Sequence, residues 1–343
     1  MKIAIILPDL RKEAPTKIAL DVANSYSKIG HDVDIFVFRN ITEINVKFNV
    51  FFLNIFFNNK LNEYDLIHCH NFLPDFYIFW YRKRIKAKCI STLHNDIKEV
   101  YQHDGNLIFR KLIPYLWFKS LLKFDKVICL SKRAQTRLMN QGKFNTEMIY
   151  NGISVDLKKD INLKHKTLIN QIKKHNILIG IVATLYHVKG IEQVLKALKN
   201  LEGYSLVIIG DGPAKSHLES LSKKLKLEKK CYFLGRHLNG YSYFRYFDLY
   251  VISSYSEGFP LAVLEAAAFS VPTVCSKIPV FEEFFENDEV VFFSLNDIDS
   301  LVNAIKKITK NKSYGKSFNK KYLNNFTLEK MNENYLKIIK NLI

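Results

Sequence analysis

The sequence has no run of about 18 uncharged apolar residues, the length a helix needs to cross a bilayer, so no transmembrane helix is expected. Its opening apolar stretch is short and runs into Asp9, Arg11, Lys12 and Glu13, with no small-residue cleavage site behind it, unlike a signal peptide. Cysteine is sparse: Cys69, Cys89, Cys129, Cys231 and Cys275 lie far apart, which excludes a disulfide framework or metal spacing. They read as buried thiols of a reducing cytoplasm. A dinucleotide fingerprint, a nucleophilic serine or cysteine constellation, a nucleic-acid reader motif and internal repeats are also missing. Acidic residues are the other shortage, 33 against 51 basic, for a net charge of +18. That surplus favours an anionic partner: nucleic acid, a membrane surface or a phosphorylated substrate.

What is present is ordinary globular material, 343 residues with 48% hydrophobic and 24% charged, enough for about two domains. Short β-branched runs alternate with longer amphipathic segments. Strands are expected at 2–7, 33–38, 65–69, 88–93, 126–130 and 147–150, with 48–57 as a further candidate. A second series follows at 177–183, 205–209, 231–234, 248–252 and 272–275. Continuous apolar strands between helices imply parallel sheets covered on both faces, an α/β doubly wound architecture. The lysine-rich stretch 156–176 interrupts the series and marks a junction near 165. The expected domains are therefore 1–165 and 166–326, both Rossmann-like. A C-terminal helix at 327–343 is expected to pack back on the first.

Segment 248–276, DLYVISSYSEGFPLAVLEAAAFSVPTVCS, carries the chemistry. A strand ends at Ser253-Ser254, and Pro260 stands where a helix would begin, a position that tolerates its missing N–H. The first turn of such a helix exposes backbone N–H groups and a partial positive charge suited to phosphate. Glu265, about one and a half turns inside, sits among apolar residues and needs hydroxyl partners such as a ribose diol. Glu257 lies in the loop before the helix, placed to face a sugar.

Glu257-Gly-Phe-Pro-Leu-Ala-Val-Leu-Glu265 resembles the two-glutamate signature of retaining nucleotide-sugar glycosyltransferases of the GT-B fold, the family 4 type. The resemblance implies two Rossmann-like domains facing each other across a crevice, with Glu265 on the nucleotide ribose and Glu257 on the transferred sugar. Other motifs follow in family order. IGIVATLYHVKG at 179–190 is similar to the strand and loop that bring a lysine, here Lys189, to the donor diphosphate; Thr184 stands where the family commonly has arginine. LVIIGDGP at 206–213 resembles the next strand and its glycine turn, with Gly210 and Gly212. CYFLGR at 231–236 is similar to the strand before the base-contacting region, and Glu283 corresponds to a glutamate after the last strand. Gly30-His31-Asp32-Val33 and Asn151-Gly152-Ile153 match structural turns.

In the first half, His94-Asn95-Asp96 resembles the family's strand-end histidine, expected to bond a sugar or phosphate oxygen and to be neutral or charged near pH 7. His68 and His70 follow their strand and read as packing or capping groups. Glu13-Ala14 replaces a glycine pair that lets the backbone approach the donor, so Arg11, Lys12 or Lys17 would supply contacts instead. The resemblance thus implies His94, Glu257 and Lys189 at the reaction. It places Thr184, Lys189, Gly210, Gly212, Glu257, Gly258, Phe259, Pro260, Leu261 and Glu265 around the donor. No metal and no cofactor is expected, since Asp32-x-Asp34 and Asp297-x-Asp299 are poorly placed for a metal-bridged diphosphate.

The resemblance implies retaining transfer of a sugar from a nucleotide donor, expected to be UDP-linked, to a saccharide or lipid-linked acceptor in bacterial surface polysaccharide assembly. A catalytically inactive GT-B assembly protein is the alternative. Residues 77–84 and 107–124 interleave aromatics with cations, and residues 1–175 hold about 29 basic against 16 acidic residues. That distribution points to an anionic membrane surface on the acceptor side, and to a cytoplasmic protein peripheral to the membrane's inner face. Nucleic acid is not expected as a partner.

Overall fold

A computed structural model describes residues 1–94, 97, 107–311 and 313–342. The chain divides into two units, Met1–Gly152 with Leu328–Ile343, and Ile153–Thr327.

The first unit runs β1 (Lys2–Leu7), α1 (Ala14–Lys28), β2 (Asp32–Val37), β3 (Val50–Phe52), β4 (Leu66–His70), α2 (Phe72–Tyr81), β5 (Lys88–Leu93), α3 (Leu107–Leu121), β6 (Lys126–Cys129), α4 (Lys132–Met139) and β7 (Thr146–Met148). Its seven strands are parallel, in the order β3-β2-β1-β4-β5-β6-β7. Ile3 to Leu7 are fully buried because helices cover both faces of a parallel sheet, which is why the strand reads as an unbroken apolar run. The apolar stretch 48–57 yields only three strand residues at the sheet edge. Beyond them the chain turns onto α2, where Tyr81 Oη donates to the Ile55 carbonyl at 2.6 Å and Tyr77 Oη to that of Phe56 at 3.0 Å. Hydroxyls take up backbone groups that a longer strand would have paired.

The second unit runs α5 (Leu163–Lys173), β8 (Ile177–Val182), α6 (Ile191–Lys199), β9 (Tyr204–Ile209), α7 (Lys215–Lys224), β10 (Cys231–Gly235), β11 (Leu249–Ile252), α8 (Leu261–Ala268), β12 (Thr273–Ser276), α9 (Pro279–Phe284), β13 (Val291–Phe293), α10 (Ile298–Lys310) and α11 (Ser313–Asn325). Six parallel strands order as β10-β9-β8-β11-β12-β13. Strand β13, absent from the sequence reading, is only three residues long and pairs with β12. The strand order reverses between β8 and β11, the topological switch point outside which doubly wound sheets hold ligands.

The division falls at Gly152/Ile153 rather than near 165. Segment 153–173 is cladding of the second unit, not a linker: the Arg245 guanidinium bonds the Leu157 carbonyl, and the Tyr246 hydroxyl bonds the Asp160 carboxylate. His165 Nδ1 lies 2.6 Å from Tyr243 Oη, and Lys173 Nζ donates to Asp248 at 2.8 Å. Ile153 also bridges to Thr327, so the two crossings of the chain run side by side. The new boundary redistributes the charge. The first unit holds 26 basic and 16 acidic residues and the second 25 and 17, surpluses of 10 and 8. The asymmetry read from residues 1–175 came from the lysines of the cladding.

Helix α12 (Leu328–Leu342) belongs to the first unit, burying Met331, Tyr335, Ile338 and Ile339. All five cysteines are buried free thiols. Among the described residues, no helix is long and apolar enough to cross a membrane.

Candidate functional site

The loops after β8 and β11 are locked together at the switch point. Gly190 ends a turn of 3-10 helix at His187–Lys189 with φ +61°, and a Cβ there would lie 2.2 Å from the Ser253 carbonyl oxygen. Only glycine admits both the left-handed backbone and that approach. Ser253 Oγ donates to the Lys189 carbonyl at 2.9 Å, Gln193 Nε2 to the Ser253 carbonyl at 3.1 Å, and the Tyr255 N–H to the Val188 carbonyl at 2.8 Å.

On this frame Lys189 Nζ donates to Glu257 Oε1 at 2.8 Å, and Ser254 Oγ donates to the same oxygen at 2.6 Å. Ser276 Oγ in turn holds the Ser254 carbonyl at 2.7 Å. The Lys189 side chain is 25% exposed and that of Glu257 10%, so the pair is substantially withdrawn from water and stronger than a surface ion pair. Ser253, Ser254 and Gln193 carry no part in the sequence reading; the signal for the two serines was their place immediately after a strand that ends at the switch point.

Glu265 is half-buried on α8, amid buried Val263, Leu264, Ala266 and Ala267. Tyr250 lies fully buried beneath; burial first, then the charges of Glu257, Cys275 and Glu265, push its phenol well above the usual tyrosine range. Pro260 precedes the helix instead of starting it, its carbonyl accepting from the Val263 N–H at 3.0 Å, and Leu261 is the first helical residue. Phe259 packs its ring on Phe284, 4.9 Å between centroids, so it anchors the loop that carries Gly258 and Glu257.

Gly210 and Gly212, expected around the donor, lie hard against the protein's own backbone. A Cβ would meet the Ala183 oxygen at 1.8 Å from Gly210 and the Leu185 oxygen at 2.7 Å from Gly212. Protein backbone fills the space that each missing side chain leaves, and Leu185 N donates to the Asp211 carbonyl at 3.0 Å across this contact. The turn braces the loop that ends in Lys189. Thr184 in that loop is exposed, and Glu283 is half-buried on α9.

His94 lies in the first unit, 5% exposed, its Nε2 2.8 Å from His70 Nδ1. Burial lowers its pKa to about 3, which favours the neutral ring near pH 7. His68 is the middle residue of β4 and His70 its last, so neither lies beyond the strand, and both are fully buried. Asn95 and Asp96 fall outside the described residues. Arg11 is engaged by Asp9 at 3.1 Å, and Glu13 caps the start of α1 by position without a side-chain bond. Asp34 accepts from Tyr64 Oη at 2.6 Å and Asn49 Nδ2 at 2.8 Å, while Asp297 caps α10 through the Ser300 N–H at 2.8 Å. One carboxylate of each Asp-x-Asp pair, Asp34 and Asp297, thus has structural work. Among the described residues, no group of three His, Cys, Asp or Glu is arranged to hold a metal ion.

Residues 166–324 match the family model of glycosyl transferases group 1, and residues 16–157 match that of glycosyltransferase family 4. By fold and by both matches, this is a GT-B glycosyltransferase. The O-antigen biosynthesis glycosyltransferase WclY of Escherichia coli is 28% identical to this glycosyltransferase, over all of the chain and 99% of WclY. An Escherichia coli UDP-Gal:alpha-D-GlcNAc-diphosphoundecaprenol alpha-1,3-galactosyltransferase is also 28% identical, over 79% of this chain and 74% of its own. Among solved structures, Anabaena HepE in complex with UDP superposes with a TM-score of 0.84 at 18% identity, over 99% of this chain and all of HepE. The glycosyltransferase shares the fold of that structure.

Proposed function

We propose that this glycosyltransferase moves a sugar from a UDP-linked donor to a hydroxyl of a saccharide or lipid-linked saccharide, with retention of anomeric configuration and without a metal ion. The observation that carries the reading is the Lys189–Glu257–Ser254 constellation at the switch point, with Glu265 on the adjoining helix. In the reaction, the bond from the anomeric carbon to the diphosphate breaks and a bond to the acceptor oxygen forms. The acceptor proton passes to the departing phosphate oxygen, so no separate strong base is needed. Negative charge grows on the diphosphate, and a preset cation lowers that barrier most. Lys189 supplies it on leaving Glu257, whose freed carboxylate then accepts hydrogen bonds from the sugar hydroxyls. Glu265 accepts from the ribose diol. His94, in the first unit, meets a sugar or phosphate oxygen.

The relatives supply the setting: WclY is named for O-antigen biosynthesis, the galactosyltransferase for a UDP-galactose donor and a diphosphoundecaprenol-linked acceptor, and HepE was solved with UDP. A lipid-linked acceptor brings an anionic membrane surface with it, and we assign that contact to the first unit. Helix α3 carries no carboxylate and exposes Leu112, Tyr115, Lys111 and Lys119, with Leu122 and Lys123 just beyond it. Ile55, Phe56 and Trp80 are exposed on the neighbouring surface around α2. This arrangement of greasy and cationic side chains suits the cytoplasmic, anionic leaflet.

Incubating the chain with a panel of UDP-hexoses and following the products by proton NMR tests the reading. Release of UDP with a sugar product that keeps the donor's anomeric configuration, undiminished by EDTA, is expected. Inversion would overturn the mechanism. No turnover of any donor would favour the inactive assembly protein, which Thr184 at the usual arginine position otherwise suggests.

A further inference from the structure

The first unit buries three histidines in a row. The rings of His68 and His70 lie 4.3 Å apart, and His70 and His94 stack at 5.1 Å. His68 is partnered at both nitrogens: Nδ1 lies 3.3 Å from Tyr26 Oη and Nε2 2.8 Å from Thr92 Oγ1, which meets Tyr335 Oη of α12 at 3.2 Å. Those partners are hydroxyls, which donate or accept as required, so either tautomer of His68 is satisfied.

His70 differs. Its Nδ1 bonds His94 Nε2 at 2.8 Å, while its own Nε2 is buried without a hydrogen-bond partner. Burial keeps both rings neutral, each with one N–H. One proton lies on the line between them, and two arrangements exist. If His94 Nε2–H donates, His70 must carry its proton on Nε2, and an N–H is buried with no acceptor. If His70 Nδ1–H donates, only a lone pair is buried. Orphaned buried N–H groups are rarer in folded proteins than under-used acceptors, because a lost strong donor costs the full desolvation of that group.

We propose that His70 is a positioning residue: its Nδ1–H bond to Nε2 fixes the ring of His94 and holds it in the Nδ1–H tautomer. His94 then has its Nε2 lone pair occupied and donates a hydrogen bond from Nδ1 alone. It serves as a donor to an oxygen, not as a base. The tautomer stands on the geometry of the first unit; its catalytic consequence rests on the function proposed above.

The test reads both. Long-range proton–nitrogen correlation spectra of the full chain labelled with nitrogen-15 histidine, at neutral pH, report the tautomer directly, with His94→Asn supplying the assignment. His94 protonated at Nδ1 and bare at Nε2 is expected; the Nε2–H form, or a charged ring, overturns the proposal. His70→Leu removes the donor, whereas His70→Asn places an amide N–H near the position of Nδ1. With a UDP-hexose as substrate, His70→Leu is expected to release the tautomer and lower kcat roughly tenfold, the scale of one lost hydrogen bond, with KM within about twofold. His70→Asn is expected to restore most of both. A His70→Leu chain with a randomised tautomer and full kcat overturns the positioning role. A wild-type chain that turns over no UDP-hexose refutes the proposed function, while the spectra still decide the tautomer.

Discussion

Lys189 Nζ sits 2.8 Å from Glu257 Oε1, a bond between two loops whose residues are 68 positions apart. The cation assigned to the diphosphate is held by the carboxylate assigned to the sugar, so donor binding must exchange one anion for another at Lys189. Glu257→Gln removes the competing charge. UDP is expected to bind this variant about 3- to 10-fold more tightly, on the order of 1 kcal/mol, while turnover falls by at least about 100-fold. Weaker UDP binding by Glu257→Gln in calorimetry would contradict the exchange.

Gly210→Ala places a methyl group against the Ala183 carbonyl, 1.8 Å away before relaxation. Backbone must move, at a cost of about 2–4 kcal/mol, and the loop ending in Lys189 moves with it. Denaturant unfolding should show that loss, together with weakened UDP binding. A stable variant with full UDP affinity would remove the bracing role.

The stability of the first unit should peak near pH 6.5. His68 and His94 keep their folded pKa values near 3 through burial, whereas the unfolded chain takes up protons from about 6.5 downward, so stability is lost as pH falls through that window. Asp75 has the opposite sign. Burial pushes its carboxyl up to about 8, against the hydrogen bond from Trp117 Nε1, so the folded state keeps a proton that the unfolded chain has lost, and stability falls as pH rises from about 4 through 8. Asp75→Asn should flatten the alkaline limb of Tm against pH and steepen the acid limb between about pH 4 and 6.5, where the two effects oppose each other. An unchanged alkaline limb would refute the assignment.

Liposome flotation tests the membrane contact. The chain should float with vesicles rich in anionic lipid at low salt and much less with neutral vesicles, and replacing Ile55, Phe56 and Trp80 together by serine should abolish flotation. Equal flotation of the triple variant would place the contact elsewhere.

The architecture was legible because parallel strands covered on both faces read as continuous apolar runs; β1 and β9 are found where their sequences put them. Short edge strands were legible only in part: β3 takes three residues of the candidate stretch 48–57, while the three residues of β13 went unread because Phe292 in such a setting looks like any other aromatic. The boundary was misread because the lysines and asparagines of 156–173 resemble a linker until their partners, Tyr243, Tyr246 and Asp248, are known from elsewhere in the chain. Glu257, Glu265 and Lys189 stood out through the motifs that resemble the glycosyltransferase family. Their support was less visible: Ser254, three residues from Glu257, was signalled only by its place after β11, and Gln193 acts on a carbonyl 60 residues away, which no local pattern encodes. The glycines at 210 and 212 were conspicuous, yet their backbone neighbours at 183 and 185 appear only once β8 and β9 are paired.

Calorimetric titration of UDP into the wild-type chain, Lys189→Ala and Glu265→Ala tests the donor site most directly. The wild type should bind UDP, and each variant should lose roughly tenfold or more in affinity, as expected for a charge-assisted hydrogen bond worth about 1.5–3 kcal/mol. Unchanged affinity in both variants would contradict the site.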